Sequence, residues 1–415
     1  VRQLTCEIIA IGTEILLGDI VNTNASHMAR GLASIGVNTY HQQVVGDNPQ
    51  RLKEALQEAY QHANVVITSG GLGPTEDDLS KETGAEFFGL PLEMNEKARA
   101  HIEAYMNRTR RTITENNWKQ AMLPQGCIPL YNDNGTAPGF ILDKDQRILI
   151  MLPGPPSEIV PMFDEQVIPY LKSFSGQVMV SRTLHICGIG ESSVEDKLHD
   201  QMLAMKNPTL APYAKEGIVD LRITAKAATE QEARTMIRPV EDQIRSMFGN
   251  YVFGADEDTL EGTVVNLLEK RGWKIATAES CTGGWVSGRI VSFPGASAVL
   301  EGALVTYSNE AKMEHLNVRK ETLDAYGAVS EQTAREMAEG AAKAFHTETA
   351  VSTTGIAGPT GGSREKPVGT VCIGLYVNGK VSAKTVHFSR RRNSNRQLAA
   401  VQALNLLRLA ILEEK

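Results

Sequence analysis

Five apolar runs in this chain each end in a glycine- or proline-rich turn, and that recurrence constrains the fold more than any other feature. They are Glu7–Ile11 before Gly12-Thr13-Glu14, Val65–Thr68 before Ser69-Gly70-Gly71-Leu72-Gly73-Pro74, Ile148–Leu152 before Pro153-Gly154-Pro155-Pro156, Trp273–Ala278 before Glu279-Ser280-Cys281-Thr282-Gly283-Gly284, and Ala350–Ser352 before Thr353-Thr354-Gly355. Short apolar runs of this kind read as strands, and amphipathic segments between them, such as Asn24–Ile35, read as covering helices. The alternation predicts an α/β fold with mostly parallel sheets. Turns that follow parallel strands gather at the carboxyl edge of the sheet, where ligands bind.

The rhythm is not continuous. Residues 1–170 form one α/β unit; from about 176 the strand-like Val178–Val180 and Val219–Thr224 with a helical Glu230–Met247 suggest a small α+β module over 171–253. Gly254–Thr259, with Asp256-Glu257-Asp258, reads as a linker. A second α/β pattern fills 254–415: helix Leu260–Arg271, strands Trp273–Ala278, Ala303–Tyr307, Ala350–Ser352, Thr370–Tyr376 and Val381–Phe388, and a last helix from Asn395. At 415 residues, three such units are an ordinary division.

Composition narrows the partners. Lys and Arg number 42 against 49 Asp and Glu, a net charge of −7, so no global field draws the chain to nucleic acid or an anionic membrane. No apolar run approaches the roughly 18 residues of a membrane span, and the chain enters a strand directly at Cys6–Ile11, so a cytoplasmic protein with no membrane partner is expected. Five scattered cysteines with no C-x-x-C, and nine histidines with no pair three or four apart, exclude a disulfide framework and a thiolate or imidazole zinc site. A metal would rest on carboxylates and phosphates.

In the first unit, Gly70, Gly71 and Gly73 permit close approach of a phosphate to backbone N–H groups, and Pro74 and Thr75 lead into Glu76-Asp77-Asp78. Acids beside an anion site call for a bridging divalent cation, with Asp77 and Asp78 as its ligands; the plainer alternative is that they favour the first turn of a helix. Gly12, Thr13, Glu14 and Asn24 follow the first strand and belong to the same edge. Asn134–Gly139 and Leu152–Pro156 are rigid turns that line the edge or simply turn the chain.

The runs GGLGPTEDD, GTEILLGD, NGTAPGF and LPGPPSE resemble the molybdopterin-binding domain family and, more closely, the N-terminal domain of the competence/damage-inducible CinA family. The resemblance implies a three-layer α/β/α fold and hydrolysis of ADP-ribose to AMP and ribose 5-phosphate with a divalent metal (Mg, Mn or Co). In the middle module Gly188-Ile189-Gly190-Glu191 is one residue short of the G-x-x-G clamp of a KH module, and acidic, so nucleic-acid binding is not expected there. CinA proteins resemble it here too, with a KH-like spacer.

Ser280 is placed by its strand-to-helix turn as a nucleophile, with the N–H groups of a helix beginning near Gly283 to hold an oxyanion; alternatively Ser280 or Thr282 caps that helix. With no histidine in the glycine-rich turns, a lysine base becomes the natural partner, and Lys312 needs a lowered pKa supplied by burial and a neighbouring cation. Tyr307 stands ready to relay the proton. Cys281 is set aside because adjacent side chains point apart. Thr353–Gly362 offers a further glycine-rich turn, and Lys366 with Arg390, Arg391 and Arg392 offers positive charge for a phosphate.

Together AESCTGG, VTYSNEAK, GAVSE, TGIAGPTGG and KPVGTV resemble the nicotinamide mononucleotide deamidase family, the C-terminal domain of CinA. That resemblance implies Ser280 as nucleophile, Lys312 as base and Tyr307 as helper, with no cofactor. It places Thr282, Gly283, Gly284, Ser297, Thr354, Gly355, Gly358 and Arg392 at the substrate, which is nicotinamide mononucleotide. Relatives often read F-S-G-D-R where this chain has Phe388-Ser389-Arg390-Arg391-Arg392, which leaves open which arginine holds phosphate. CinA relatives also imply a homodimer. A reading from another class is a non-catalytic nucleotide sensor or a competence-linked, DNA-associated scaffold.

Overall fold

The computed structural model describes residues 4–75, 78–174 and 176–414, so Glu76 and the metal-ligand candidate Asp77 lie outside the described residues. The chain divides into two compact units, Val1–Val180 with Ala225–Thr235, and Ser181–Thr224 with Met236–Lys415.

The first unit is built on a six-stranded sheet in the order Asn38–Val45, Thr5–Ile11, Val65–Ser69, Arg147–Leu152, Gly139–Lys144, Ile128–Leu130. The first four strands are parallel, Gly139–Lys144 runs against them, and Ile128–Leu130, antiparallel to it, runs with them again. Because side chains alternate across a strand, Ile8, Ile67 and Ile150 pack on one face with Met28 and Phe163, while Ile9, Val66 and Leu149 pack on the other with Leu56 and Phe140. Both faces are therefore covered, giving the expected three layers. In register, Ile67 sits beside Ile8 and Ile150, which brings Ala10, Ser69 and Leu152 level at one edge.

A four-stranded sheet follows, ordered Thr209–Lys215, Ile218–Ala227, Val178–Cys187, Val252–Ala255, with the helices Glu191–Ala204 and Glu230–Phe248. Its last strand corrects the linker reading of Gly254–Thr259, since Gly254 and Ala255 pair with His185 and Leu184. Asp256 is equally engaged: its backbone N–H donates to the Thr183 carbonyl at 2.8 Å, and its carboxylate accepts from the Thr183 N–H at 2.9 Å and pairs with Arg182. Gly188, at φ 94°, turns the chain where a side chain would meet Asn405 and Tyr251.

The third sheet has five strands, ordered Leu300–Val305, Ile275–Glu279, Thr349–Gly355, Thr370–Val377, Lys380–His387; the first three are parallel and the last two antiparallel. Helices Leu260–Arg271 and Arg392–Glu413 cover one face through Val264, Leu268, Leu404 and Leu407. Glu331–Phe345 covers the other through Met337 and Ala341. The last helix begins at Arg392, three residues ahead of the expected Asn395, because the buried Asn395 side chain accepts from the Arg390 N–H and donates to the Ala357 and Arg390 carbonyls. Among the described residues no helix is long and apolar enough to cross a membrane.

Candidate functional site

The strand Ile275–Glu279 delivers Ser280 to the sheet edge beside Thr353–Gly355 of the neighbouring parallel strand, and the Ser280 N–H donates to the Thr353 carbonyl at 2.9 Å. A cavity of about 290 Å³ opens there, walled by Ser280, Cys281, Tyr307, Lys312, Thr354, Gly358 and Arg392, among others. Lys312 comes from the first turn of the helix Asn309–Leu316, capped by the Ser308 hydroxyl, which accepts from the Ala311 N–H at 3.0 Å.

Lys312 is 1% exposed, and Nζ has three partners: the Thr306 carbonyl at 2.9 Å, the Tyr307 carbonyl at 3.2 Å and Ser280 Oγ at 3.1 Å. Carbonyls only accept, so they take two N–H bonds. A neutral amine has two N–H bonds and one lone pair, and the third direction then aims that lone pair at the serine hydroxyl. Burial pushes the Lys312 ammonium below the ordinary lysine range, favouring this neutral state. The cause is desolvation alone; the neighbouring cation expected from sequence plays no part. Tyr307 reaches the wall but is 66% exposed, and its bond to Lys312 is through its carbonyl.

The helix after the turn is Trp285–Val291, not one from Gly283, and three of the N–H groups at its start are already taken. The Glu279 carboxylate, 1% exposed, accepts from the N–H groups of Gly284 (2.9 Å), Val286 (3.0 Å) and Ser287 (2.8 Å), and from the hydroxyls of Ser287 (2.9 Å) and Thr282 (2.7 Å). This corrects two expectations together. The helix start does not hold an oxyanion, and neither Ser280 nor Thr282 caps it, because a buried anion satisfies the helix dipole from inside.

The same arrangement takes Thr282, Gly283 and Gly284 off the cavity wall: the Thr282 hydroxyl is bound to Glu279 and, at 2.6 Å, to Thr353. Ser297 is also off the wall, exposed on the short turn Ala296–Ala298. Thr354, Gly355 and Gly358 are on it, the Thr354 hydroxyl donating to the Ala328 carbonyl at 2.7 Å. Of the three arginines only Arg392 lines the cavity, with one guanidinium N–H on the Gly358 carbonyl at 2.6 Å. Lys366 instead donates to the Tyr326 carbonyl at 2.8 Å and lines a separate polar hollow. Cys281 also reaches the wall, but its side chain packs into the hydrophobic core, where burial pushes its thiol up to about 12, which disfavours it as a rival nucleophile.

Sequence reasoning missed Glu279 and Arg396. From the last helix, Arg396 donates Nε to the Cys281 carbonyl at 3.1 Å and Nη2 to the Thr282 carbonyl at 2.9 Å, with its guanidinium 3.8 Å over the Trp285 ring. Its position four residues after Arg392 on one helix was the available signal.

In the first unit, the level strand ends surround a cavity of about 440 Å³ lined by Gly12, Glu14, Asp47, Gly70, Gly71, Gly73, Pro74, Asp78, Gly154 and Glu158, among others. The N–H groups of Gly71, Leu72 and Gly73 meet no acceptor among the described residues, which leaves a row of donors for an anion. Thr13 is not on the wall; its N–H and hydroxyl both donate to Asp47 at 3.0 Å, fixing that carboxylate. Asn24 stands behind it, donating to the Gly154 carbonyl at 2.7 Å. Thr75 folds back on Asp78, whose carboxylate accepts its N–H at 3.0 Å and its hydroxyl.

Asp78 precedes the helix Ser80–Phe87, so first-turn dipole preference does not account for it. Burial raises the Glu158 carboxyl above its ordinary range, opposed by the Asn132 amide at 2.6 Å. Sequence reasoning missed Asp47, which follows the edge strand, and Glu158. Among the described residues no three carboxylate, imidazole or thiolate groups converge on one metal position. The all-oxygen donor set suits a hard divalent ion held by one or two carboxylates with substrate phosphates completing its shell.

Fold and sites define a multidomain α/β protein with a glycine-lined cavity in one unit and a serine–lysine pair at a sheet edge in the other. Family models match three consecutive stretches: a probable molybdopterin binding domain over 7–173, the damage-inducible protein CinA KH domain over 181–254, and the CinA C-terminal domain over 257–411. A putative competence-damage inducible protein of Clostridium botulinum (strain Loch Maree / Type A3) is 50% identical over 406 residues, 98% of this chain and 99% of that one. A CinA-like protein of Dictyoglomus turgidum is 49% identical over 409 residues, 99% of this chain and all of that one. The crystal structure of competence/damage inducible protein CihA from Agrobacterium tumefaciens is 40% identical, covering 37% of this chain and 94% of that one at a TM-score of 0.36. The chain belongs to the CinA family of competence/damage-inducible proteins.

Proposed function

We propose that the Ser280 site hydrolyses the carboxamide of nicotinamide mononucleotide to nicotinate mononucleotide and ammonia. The observation that carries this reading is the Lys312 amine, held by two carbonyls so that its remaining direction meets Ser280 Oγ at 3.1 Å. Lys312 takes the hydroxyl proton as Oγ bonds to the carboxamide carbon. Collapse of the tetrahedral intermediate breaks the C–N bond, and the nitrogen leaves as ammonia with the proton from Lys312. Water then adds to the acyl carbon, passing a proton to Lys312, and Ser280 is released with its proton restored. Arg392, with one N–H on Gly358, keeps further N–H groups for the phosphate. The test is ammonia release from nicotinamide mononucleotide by the full chain: activity with chelator present, lost in Ser280→Ala, supports the reading, and activity surviving Ser280→Ala ends it.

For the first unit we propose divalent-metal-dependent hydrolysis of ADP-ribose to AMP and ribose 5-phosphate, favoured by the N–H groups of Gly71, Leu72 and Gly73, which meet no acceptor among the described residues, beside a carboxylate rim. Asp78 and Asp47 would hold the ion, with substrate phosphates completing its shell, and it would supply charge neutralisation at the pyrophosphate. The glycine N–H groups orient the phosphates, and Thr13 and Thr75 hold Asp47 and Asp78 in place. AMP formation that survives both chelator and Asp78→Ala would discard this reading.

A further inference from the structure

A tetrahedral intermediate on Ser280 needs a donor for its oxyanion, and the structure narrows the choice within the turn. The N–H groups of Gly284, Val286 and Ser287 belong to Glu279, that of Gly283 donates to the Ser280 carbonyl at 3.2 Å, and that of Ser280 to Thr353. The N–H groups of Cys281, Thr282 and Trp285 meet no oxygen acceptor among the described residues, and of these three residues only Cys281 lines the cavity.

Behind the Cys281 N–H stands a cation. In a trans peptide the C=O and the following N–H point in opposite directions. Arg396 Nη2 donates to the Thr282 carbonyl; the N–H across that peptide, Gly283, donates to the Ser280 carbonyl; the N–H across the next peptide is that of Cys281. Guanidinium, two aligned peptide units and the Cys281 N–H thus form one hydrogen-bonded series, and each member polarises the next. The series is rigid: Arg396 also grips the Cys281 carbonyl and lies on Trp285, while Glu279 and Thr353 pin the Thr282 hydroxyl.

We propose that the Cys281 N–H is the oxyanion donor of the Ser280 site, and that Arg396 is a positioning residue that aims and polarises it through the Thr282–Gly283 and Ser280–Cys281 peptides. The inference rests on Ser280 being the nucleophile of the amide reaction, and its test separates the two. Phenylmethanesulfonyl fluoride needs no nucleotide contacts. Ser280 Oγ bonds to its sulfur, the S–F bond breaks, fluoride leaves, and the serine proton passes through Lys312 to solvent.

The experiment measures the labelling rate of Ser280 in the full chain by intact mass across pH, with steady-state kinetics on nicotinamide mononucleotide alongside. Arg396→Met is expected to lower labelling and kcat about tenfold, a fraction of what loss of a whole oxyanion donor costs. KM and the pH midpoint of labelling stay as in the wild type, and added methylguanidinium restores part of the rate. Arg396→Lys, which keeps a cation without the planar fork, falls between and carries the test if Arg396→Met does not fold. Labelling within twofold of wild type, a moved pH midpoint, or a raised KM at constant kcat overturns the proposal, the last by making Arg396 a ligand contact. If Ser280 labels in an Arg396-dependent way yet no ammonia is released, the amide reading fails and the relay stands.

Discussion

The turn after Val65–Ser69 and the turn after Ile275–Glu279 share a plan, a buried parallel strand running into paired glycines, yet they are spent in opposite ways. In the first, the N–H groups of Gly71, Leu72 and Gly73 meet no acceptor among the described residues, and carboxylates stand around the rim. In the second, one carboxylate has moved inside, and Glu279 consumes the donors that would otherwise hold an anion. The difference lies in the last strand residue, Ser69 in one case and Glu279 in the other. An empty turn leaves its N–H groups available; a turn filled by its own anion becomes a fixed mount for the next residue, Ser280.

Three substitutions break or sharpen that contrast. The largest effect is expected from Lys312→Met, which leaves Ser280 without a base: ammonia release falls about 10³-fold or more while AMP formation from ADP-ribose is unchanged. The same variant gains thermal stability. The folded-state pKa of Lys312 lies below its ordinary 10.5, so the unfolded chain binds more protons between the two values and wild-type stability rises with pH there. The gain in melting temperature is therefore greatest at low pH and shrinks as pH approaches that ordinary value. Wild-type ammonia release runs with the same sign, climbing with pH to a midpoint below the ordinary lysine value.

Glu279→Gln comes next. An amide NH₂ group must then face N–H donors, leaving buried groups unsatisfied, and a loss of about 2–3 kcal/mol is expected by denaturant titration of the 181–415 signal. Ammonia release falls with it. AMP formation at temperatures where the first unit stays folded does not, and an equal loss in both activities would erase the contrast. The smallest effect is expected from Gly71→Ala. Gly71 has φ +69°, and a Cβ there collides with Ser80 Oγ, so the turn or the Ser80 side chain must move to admit it. AMP formation falls about tenfold and ammonia release holds, with the readout a rise in KM for ADP-ribose.

Much of this was legible in the sequence, and for identifiable reasons. Buried parallel strands are uninterrupted apolar runs, so Val65–Ser69 and Arg147–Leu152 announced themselves, and Leu260–Arg271 was bounded by the Thr259 cap and Gly272. Ser280 and Lys312 were legible because a hydroxyl on such a turn is conspicuous and its base had to come from a nearby strand end. What stayed hidden was how donors are shared. Thr282, Gly283 and Gly284 look like substrate contacts until Glu279 is seen to take them, and no periodicity marks a carboxylate that folds back on the turn after it. Arg396 sits in an ordinary helical stretch, outshone by Arg390–Arg392, and Asp47 follows an edge strand whose polar residues give little pattern. The strand Val252–Ala255 was hidden for the opposite reason: four residues ending beside an acidic run resemble a tether until their partner strand is present.

The buried Glu279 carboxylate has a consequence for engineering. A serine moved alone onto the end of a strand in some other α/β scaffold would stand on a joint free to rock, because the turn would arrive without its internal anchor. The portable unit is the acid together with the hydroxyl, consecutive in the chain but facing opposite ways, one buried to steady the joint and the other left bare for chemistry.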